Sequence, residues 1–528
     1  MNNSIIQLND LPDEILMMIL EKLWNIRVLY SLIGINRKLD RIACDPVFTR
    51  YLQLMNGISH NSVGQLPEIV LNRFCSDILP KIHHHIRRLD LESSTMERIL
   101  STANYPNLHQ LGLFNLHAKT AVSLFTSQSP LNHINANQID LLIIDIKQYG
   151  DMCEGSDINL LIFIHILTIF CNLKYFSFDT SQQLSFGNSP PNIFSSTLVE
   201  LHVSLNDLTD CLYLLDGRFS QLHTLRVYSV REKSTHVIID NKDKLPNLKH
   251  FSLDHRFYTD LYDNLIIPLL QLMINLEELD LYLKISRKQT LVDGADLKKN
   301  ILNHMSRLKK FSFSIRLNIY LNNGSNIPSN DDFRNTFKDF KNNEIISYVD
   351  NFTWSTYIEC RMFSYPYKRK EYERITNNFV FKSFPYVREI SLFDNQPFEH
   401  EFFLRITQAF PNVKILRLDN EQPQKKNHQD SSITRYFHLT KLHLLEVHDD
   451  YIEEFLSDSK TCLPNTVDLT IEYEAMQRVT ENFTRSTTQI NCSKLIRLNL
   501  YVLDDDENDV NLDDIKHYFP HAKIFAKS

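Results

Sequence analysis

The stretch Leu245-Pro246-Asn247-Leu248-Lys249-His250-Phe251-Ser252-Leu253 places a Pro-Asn turn ahead of apolar side chains at offsets 0, +3 and +5. The last two lie two apart, so on an extended strand they share a face. The frame returns at Leu173…Phe176…Phe178, Leu198…Leu201…Val203, Leu222…Leu225…Val227, Leu276…Leu279…Leu281 and Leu308…Phe311…Phe313. It resumes at Val387…Ile390…Leu392, Val413…Leu416…Leu418, Leu442…Leu445…Val447 and Leu495…Leu498…Leu500, with Thr466 in the first slot of one further copy. In a chain that is 43% apolar, chance alone puts such a triplet at roughly one position in twelve, so the triplet decides little. Its spacing decides more. From 173 the copies follow at intervals of 25, 24, 26 and 28 residues, which is the mark of one supersecondary unit stacked on the next.

That period and the core L-x-x-L-x-L resemble the leucine-rich repeat, whose units run to about 20–29 residues. The resemblance implies an α/β solenoid, a ladder of parallel strands bent into a horseshoe. Between the strands, Leu208, Leu212, Leu215 and Leu261, Leu265, Ile266, Leu269, Leu272, Met273 carry helical spacing. Strand, connector, helix and strand in so short a period require parallel pairing. The array is expected over 86–528, starting at Ile86…Leu89…Leu91 and Leu108…Leu111…Leu113, behind a connector and helical cap at 55–85 that holds a helix from Leu66 to Leu79. At 321–383 the frame lapses. One long distorted repeat is expected there: a turn-rich loop, a helix near Asp331 to Lys341, a strand Tyr357–Phe363 and the basic-aromatic tail Tyr365–Tyr372. Asp514–Tyr518 and Pro520–Phe525 are expected to cap the end.

The first 54 residues are different. Asp10, Pro12, Asp13 and Glu14 are helix-start signals, and Ile15, Leu16, Ile19, Leu20 and Leu23 follow at helical spacing. A second short helix carries Leu29, Leu32, Ile33 and Ile35, and a third runs from about Asn36 to Ala43 before Asp45-Pro46 breaks the ladder. Three short helices make a small core, and such a unit usually needs a partner surface. The residues Leu11-Pro12-Asp13-Glu14-Ile15-Leu16 with Ile19-Leu20, then Leu32-Ile33-Gly34-Ile35-Asn36-Arg37-Lys38-Leu39, then Ile42-Ala43-Cys44-Asp45-Pro46-Val47-Phe48 resemble an F-box. Leu39 stands where many members carry tryptophan. The resemblance implies a small all-α trihelical module that docks on the Skp-type adaptor of SCF cullin-RING ubiquitin ligases, with Leu11, Pro12, Ile15, Leu16, Ile19 and Leu20 as the adaptor-binding residues. It further implies ubiquitin-dependent degradation of a protein target held by the repeats, in the cytoplasm, the nucleus or both.

If the apolar triplets face a core, the residues between them face out. The exposed floor then holds Gln110, Gly112, Ser177, Glu200, His202, Thr224, Arg226, His250, Ser252, Glu278, Asp280, Lys310 and Ser312, and later Glu389, Ser391, Arg417, Glu446, Thr470, Arg497 and Asn499. Among them His202, Arg226, His250, Asp280, Lys310, Arg417, Glu446 and Arg497 are the candidate target contacts. Mixed charges suit a protein or peptide ligand better than a polyphosphate, which would want clustered Lys and Arg. A net charge of −8 argues against wholesale nucleic-acid binding. The most apolar run, Leu160 to Phe170, is eleven residues and contains His165, too short to span a bilayer.

No basic leader precedes an apolar run, so no secretory signal is expected. The eight cysteines form no C-x-x-C, and they read as reduced thiols of an intracellular protein. On a strand His83-His84-His85 would point to alternate sides and not converge on one ion, and an exposed turn is expected there instead. Nucleotide-cradle, nucleophile-elbow and H-E-x-x-H patterns are absent, so no catalytic residue, metal or cofactor is expected. Besides the ligase receptor, three readings stand: a repeat scaffold outside any ligase with the N-terminal helices as cap, a small-molecule-sensing F-box receptor, and an enzyme whose cleft gathers titratable residues. A basic ring on the floor would favour the second, and Lys and Arg there are only scattered.

Overall fold

The computed structural model describes residues 10–527 except 60–61, 126–130, 132–133, 148–154, 188–190, 232–246, 289, 321–327, 341–343, 353–355, 426–431 and 503–514. Leu245 and Pro246 of the opening turn lie outside the described residues, as does 504–514, where seven Asp and Glu fall without a Lys or Arg and a hydrated loop is expected from the sequence. The protein is a mixed α/β chain with extensive parallel sheet, divided into two compact units: 1–285 with 298–311, and 286–297 with 312–528.

The first unit opens with helices α1 Asp13–Leu20, α2 Asn25–Leu32, α3 Arg37–Ala43 and α4 Pro46–Thr49. Pro12, expected inside the first turn, sits at the N-cap of α1 and leaves Asp13 and Glu14 in that turn. The Asn36 side chain caps α3 through the Leu39 N–H, and Asp45 caps α4, so Pro46 starts a new turn after ending the old one. Leu16, Leu20, Val28, Leu29, Leu32, Ile33, Leu39, Ile42 and Phe48 are all buried. The Lys38 ammonium donates to the Leu11 carbonyl at 2.7 Å, and Asp13 pairs with Lys38 and Arg41, which ties α3 to the start of α1.

Apart from a small antiparallel pair, Asn56–Ser59 with Ser62–Gly64, the strands that build this unit's sheet follow in chain order, each parallel to the next: Tyr51–Leu54, Arg88–Glu92, Gln110–Leu116, Leu141–Ile146, Tyr175–Thr180, Glu200–Asp207, Thr224–Arg231, His250–Thr259 and Glu278–Lys288. One register line carries Leu52, Leu89, Leu111, Leu142, Phe176, Leu201, Leu225, Phe251 and Leu279, and every one is buried. At about 25 cal/mol per Å² of apolar surface, such a row contributes on the order of 1.5–3 kcal/mol per side chain. The turn asparagines explain the Pro-Asn signature. Asn107 donates to the His84 carbonyl at 2.7 Å, Asn172 to that of Asn137 at 2.8 Å and Asn247 to that of Ser220 at 2.7 Å. Each reaches a carbonyl some two dozen or more residues back and so joins one turn to the turn before it. The helix expected over Leu66–Leu79 runs from Glu68 as Glu68–Arg73, a π-helical Phe74–Ile78 and Leu79–Ile82, and Ile69 points out at 75% exposure.

In the second unit, 321–383 is not one distorted repeat. Tyr357–Tyr365 runs antiparallel both to Ser314–Tyr320 and to Glu344–Asn351, and the observed helix is the short Asn330–Asn335. Antiparallel pairing follows from local connection: two strands five residues apart form a hairpin. The tail tyrosines are interior, with Tyr367 and Tyr372 buried among Phe363, Phe379, Phe384 and Phe410. Parallel order resumes from Glu371–Ile375 through Glu389–Phe393, Ile415–Asn420, Lys441–Val447, Val467–Glu472, Leu495–Tyr501 and Lys523–Lys527. The terminal stretch expected to cap the array thus adds an edge strand. The copy read as Leu442…Leu445…Val447 is Leu439, Leu442 and Leu444, all buried; Leu442 pairs with Leu416 and Leu444 with Leu418. Thr466 is exposed and Val467 takes the inward place.

Candidate functional site

Two surfaces and one buried cluster carry chemistry. On α1 the inward side is Leu16 and Leu20, at 0% and 4% exposure. These two of the six expected docking residues therefore build the helices' own core. The outward side is Ile15 at 43%, Met18 at 64% and Ile19 at 45%, continued by Leu23 and Trp24. Leu11 is half-buried and Pro12 exposed. Met18, Leu23 and Trp24 are additions the sequence reading did not make. Five large apolar side chains in ten residues, all uncovered, are the kind of patch that marks a contact surface.

The outward face of the first unit's sheet is set by the same register. Ser177, His202, Arg226, Ser252 and Asp280 form one row, and Tyr175, Glu200, Thr224, His250 and Glu278 the row before it. His202 uses both ring nitrogens, Nε2 toward Glu200 Oε1 at 2.7 Å and Nδ1 toward the Tyr175 hydroxyl at 3.1 Å. Burial lowers the His202 pKa, although Glu200 pulls the other way, and burial raises that of Tyr175. Lys310 donates to Glu278 at 2.6 Å and His250 lies 3.7 Å from the same carboxylate. The hydrogen bond from Lys310 holds Glu278 below its ordinary pKa. Earlier in the sheet Arg88 and Asp90 pair at 3.0 Å, and the Asp90 carboxylate fills the space beside Gly112.

In the second unit Arg417 pairs with Glu389, Arg497 lies 4.0 Å from Asp468 and over the Phe525 ring, and Glu446 is exposed at a left-handed φ of 55°. With Leu442 and Leu444 facing inward, His443 stands opposite Arg417 on the outward face, a neighbour the sequence reading had not assigned. Surface pairs of this kind contribute little, about 0–1 kcal/mol each.

Deeper in the second unit lies a cluster no motif announced. Glu359 is fully buried, with Arg361 Nε at 2.6 Å, Arg316 Nε at 3.1 Å and Arg374 at 3.7 Å. Burial alone would push the Glu359 carboxyl up, but Arg361, Arg316 and Arg374 outweigh it and hold it at about 2. Arg316 and Arg361 also donate to the Glu373 carbonyl, at 2.8 and 2.5 Å. Asp350, close by, accepts from Thr376 and Asn378. Burial, only partly offset by Arg361, raises its pKa to about 6. The opposite charges are paired within the cluster, while Asp350 Oδ2, Arg361 Nη2 and Arg374 Nε are buried with no hydrogen-bond partner among the described residues.

Among the described residues no group of three or more His, Cys, Asp or Glu converges as a metal site, and no helix is long and apolar enough to cross a membrane. His83–His85 form a single 3-10 turn, with His83 hydrogen-bonded to the Asn104 carbonyl. No protein-family model matches the chain, and no curated protein matches it in sequence.

Proposed function

We propose that the chain is the substrate-recognition subunit of an SCF-type ubiquitin ligase, an F-box followed by a leucine-rich-repeat horseshoe. The N-terminal helices dock on a Skp-type adaptor and the outward strand faces hold a protein target. The observation that carries the reading is the uncovered side of α1: Ile15, Met18 and Ile19 exposed opposite the buried Leu16 and Leu20, with Leu23 and Trp24 alongside. A helix that only capped an array would turn its apolar side inward and leave polar residues outside. The sequence resemblance over 11–48 names the partner chemistry. No bond is made or broken by this chain. Holding a target beside a ubiquitin-loaded partner raises its effective concentration, which turns a rare bimolecular encounter into a frequent one.

The test is affinity purification of the full chain. The wild type is expected to bring down a Skp-type adaptor and a cullin, and Ile15→Asp with Ile19→Asp to lose both while far-ultraviolet circular dichroism stays unchanged. Full retention by the variant, or no adaptor and no cullin with the wild type, overturns the reading.

A further inference from the structure

One end of the second unit's parallel sheet is Lys523–Lys527, which pairs with Leu495–Tyr501 on one side. From Lys523 to Ala526 its backbone makes no hydrogen bond on the other side among the described residues. Deeper in the sheet the inward rows are closed, with Leu469, Leu498, Ile471 and Leu500 all at 0% exposure. Ile524 and Ala526 continue those rows opposite Leu498 and Leu500, yet Ile524 is only half-buried and Ala526 is exposed. Phe525, between them, is 44% exposed. A stack of parallel strands leaves its last apolar row open unless something covers it, and a bare strand edge is a template for a further strand.

Charge narrows what can cover this edge. Asp468, Arg497 and Lys523 stand in register across the three last strands. Arg497 lies 4.0 Å from Asp468, whereas Lys523 is exposed and has no ion pair among the described residues. Two cations side by side across a ladder repel, and an acid on the far side of Lys523 offsets that. A second copy of the edge cannot supply one, since 523–527 contains no Asp or Glu. The strand that fits carries an acid beside Lys523 and branched apolar side chains beside Ile524 and Ala526, where the small Ala526 leaves room. We propose that Lys523–Lys527 accepts an extended acidic-apolar segment of a partner protein as the next strand of the sheet. Backbone hydrogen bonds supply the affinity, and the acid against Lys523 with the apolar side chains supplies the selectivity. The surface is a sheet edge, distinct from the strand faces and from α1, so the inference does not depend on the ligase reading.

The test is fluorescence anisotropy of the purified full chain with a labelled peptide that carries Glu-Val-Thr-Val-Glu between Gly-Ser flanks, a core that reads the same in either strand direction. The wild type is expected to bind it at least tenfold more tightly than the matching Lys-Val-Thr-Val-Lys peptide. Lys523→Glu, a change at an exposed side chain, is expected to reverse that order. Methylating the backbone nitrogens of alternate core residues removes one set of strand donors, and methylation in one of the two possible frames is expected to abolish binding. Absent or equal binding of the two peptides by the wild type, an unchanged order in Lys523→Glu, or full binding by both methylated frames overturns the proposal. So does a concentration-dependent dimer in sedimentation velocity that Lys523→Glu alters, which would assign the edge to a second copy of the chain.

Discussion

Replacing Glu359 by Gln keeps the shape of the side chain and deletes its charge, leaving Arg316, Arg361 and Arg374 around a neutral amide in a fully buried position. The carboxyl is held at about 2 against an ordinary 4.5, and at 1.36 kcal/mol per pKa unit this is about 3 kcal/mol of preference for the ionised form. Breaking a buried pair by removing one partner costs roughly 3–5 kcal/mol, so the two routes agree. For a cooperative unit of this size each kcal/mol moves the midpoint by roughly 2–4 °C, and the second unit is expected to melt roughly 6–12 °C lower in Glu359→Gln. Hydrogen exchange with peptide-level readout over 344–375 assigns the loss to this unit. Because the folded pKa lies below the unfolded one, the stabilisation is complete above about 4.5 and fades as pH falls toward 2, so the deficit of the variant should shrink over that window. A shift under about 2 °C at neutral pH would mean that the arginines find water or other acceptors, and the account of the cluster would be wrong.

His255 is buried with neither ring nitrogen hydrogen-bonded among the described residues, and burial drops its pKa to about 4. Unfolding therefore takes up a proton between pH 6.5 and 4 and costs the first unit up to about 3 kcal/mol as pH falls; urea titrations at pH 7 and 5 should show a smaller difference for His255→Leu than for the wild type. Asp350 runs the other way, since its pKa is raised to about 6. Its contribution improves by up to about 3 kcal/mol as pH falls from 7 toward 4, and hydrogen exchange over 344–351 should lose that part of its pH dependence in Asp350→Asn. A Cβ on Gly294 would meet the Thr336 carbonyl oxygen at 2.2 Å and its carbon at 2.5 Å. Backbone cannot swing aside as a side chain does, so Gly294→Ala should lower the midpoint of the second unit by several degrees in calorimetry.

The apolar frame made the parallel ladder of the first unit legible because each copy is local and the period is regular; Leu89, Leu111, Leu201, Leu225 and Phe251 lie where the spacing put them. At Leu442 the same frame failed, since Leu439 and Leu445 are equally apolar and only the strand register distinguishes Leu439…Leu442…Leu444 from the competing reading. The α1 helix poses a similar ambiguity. Ile15 with Ile19 and Leu16 with Leu20 are both i, i+4 pairs of aliphatic residues, so periodicity shows a doubly apolar helix but not which pair the other helices bury. Exposure decides it, and the decision moves the proposed docking surface one residue around the helix toward Met18. Charge is the least legible property. Glu359 and Arg361 alternate along a strand as solvated residues would, yet they are buried because Tyr357–Tyr365 pairs antiparallel with Glu344–Asn351 and the chain that follows brings the Glu373 carbonyl across them. Conversely, the floor histidines and lysines looked free in the sequence and are mostly matched once the strands are in register. Among the described residues, subtracting those matched charges leaves Arg226 on the first unit's floor and Glu446 on the second's, and the sequence could place Arg226 on the outward face but could not distinguish it from Lys310 or Arg417.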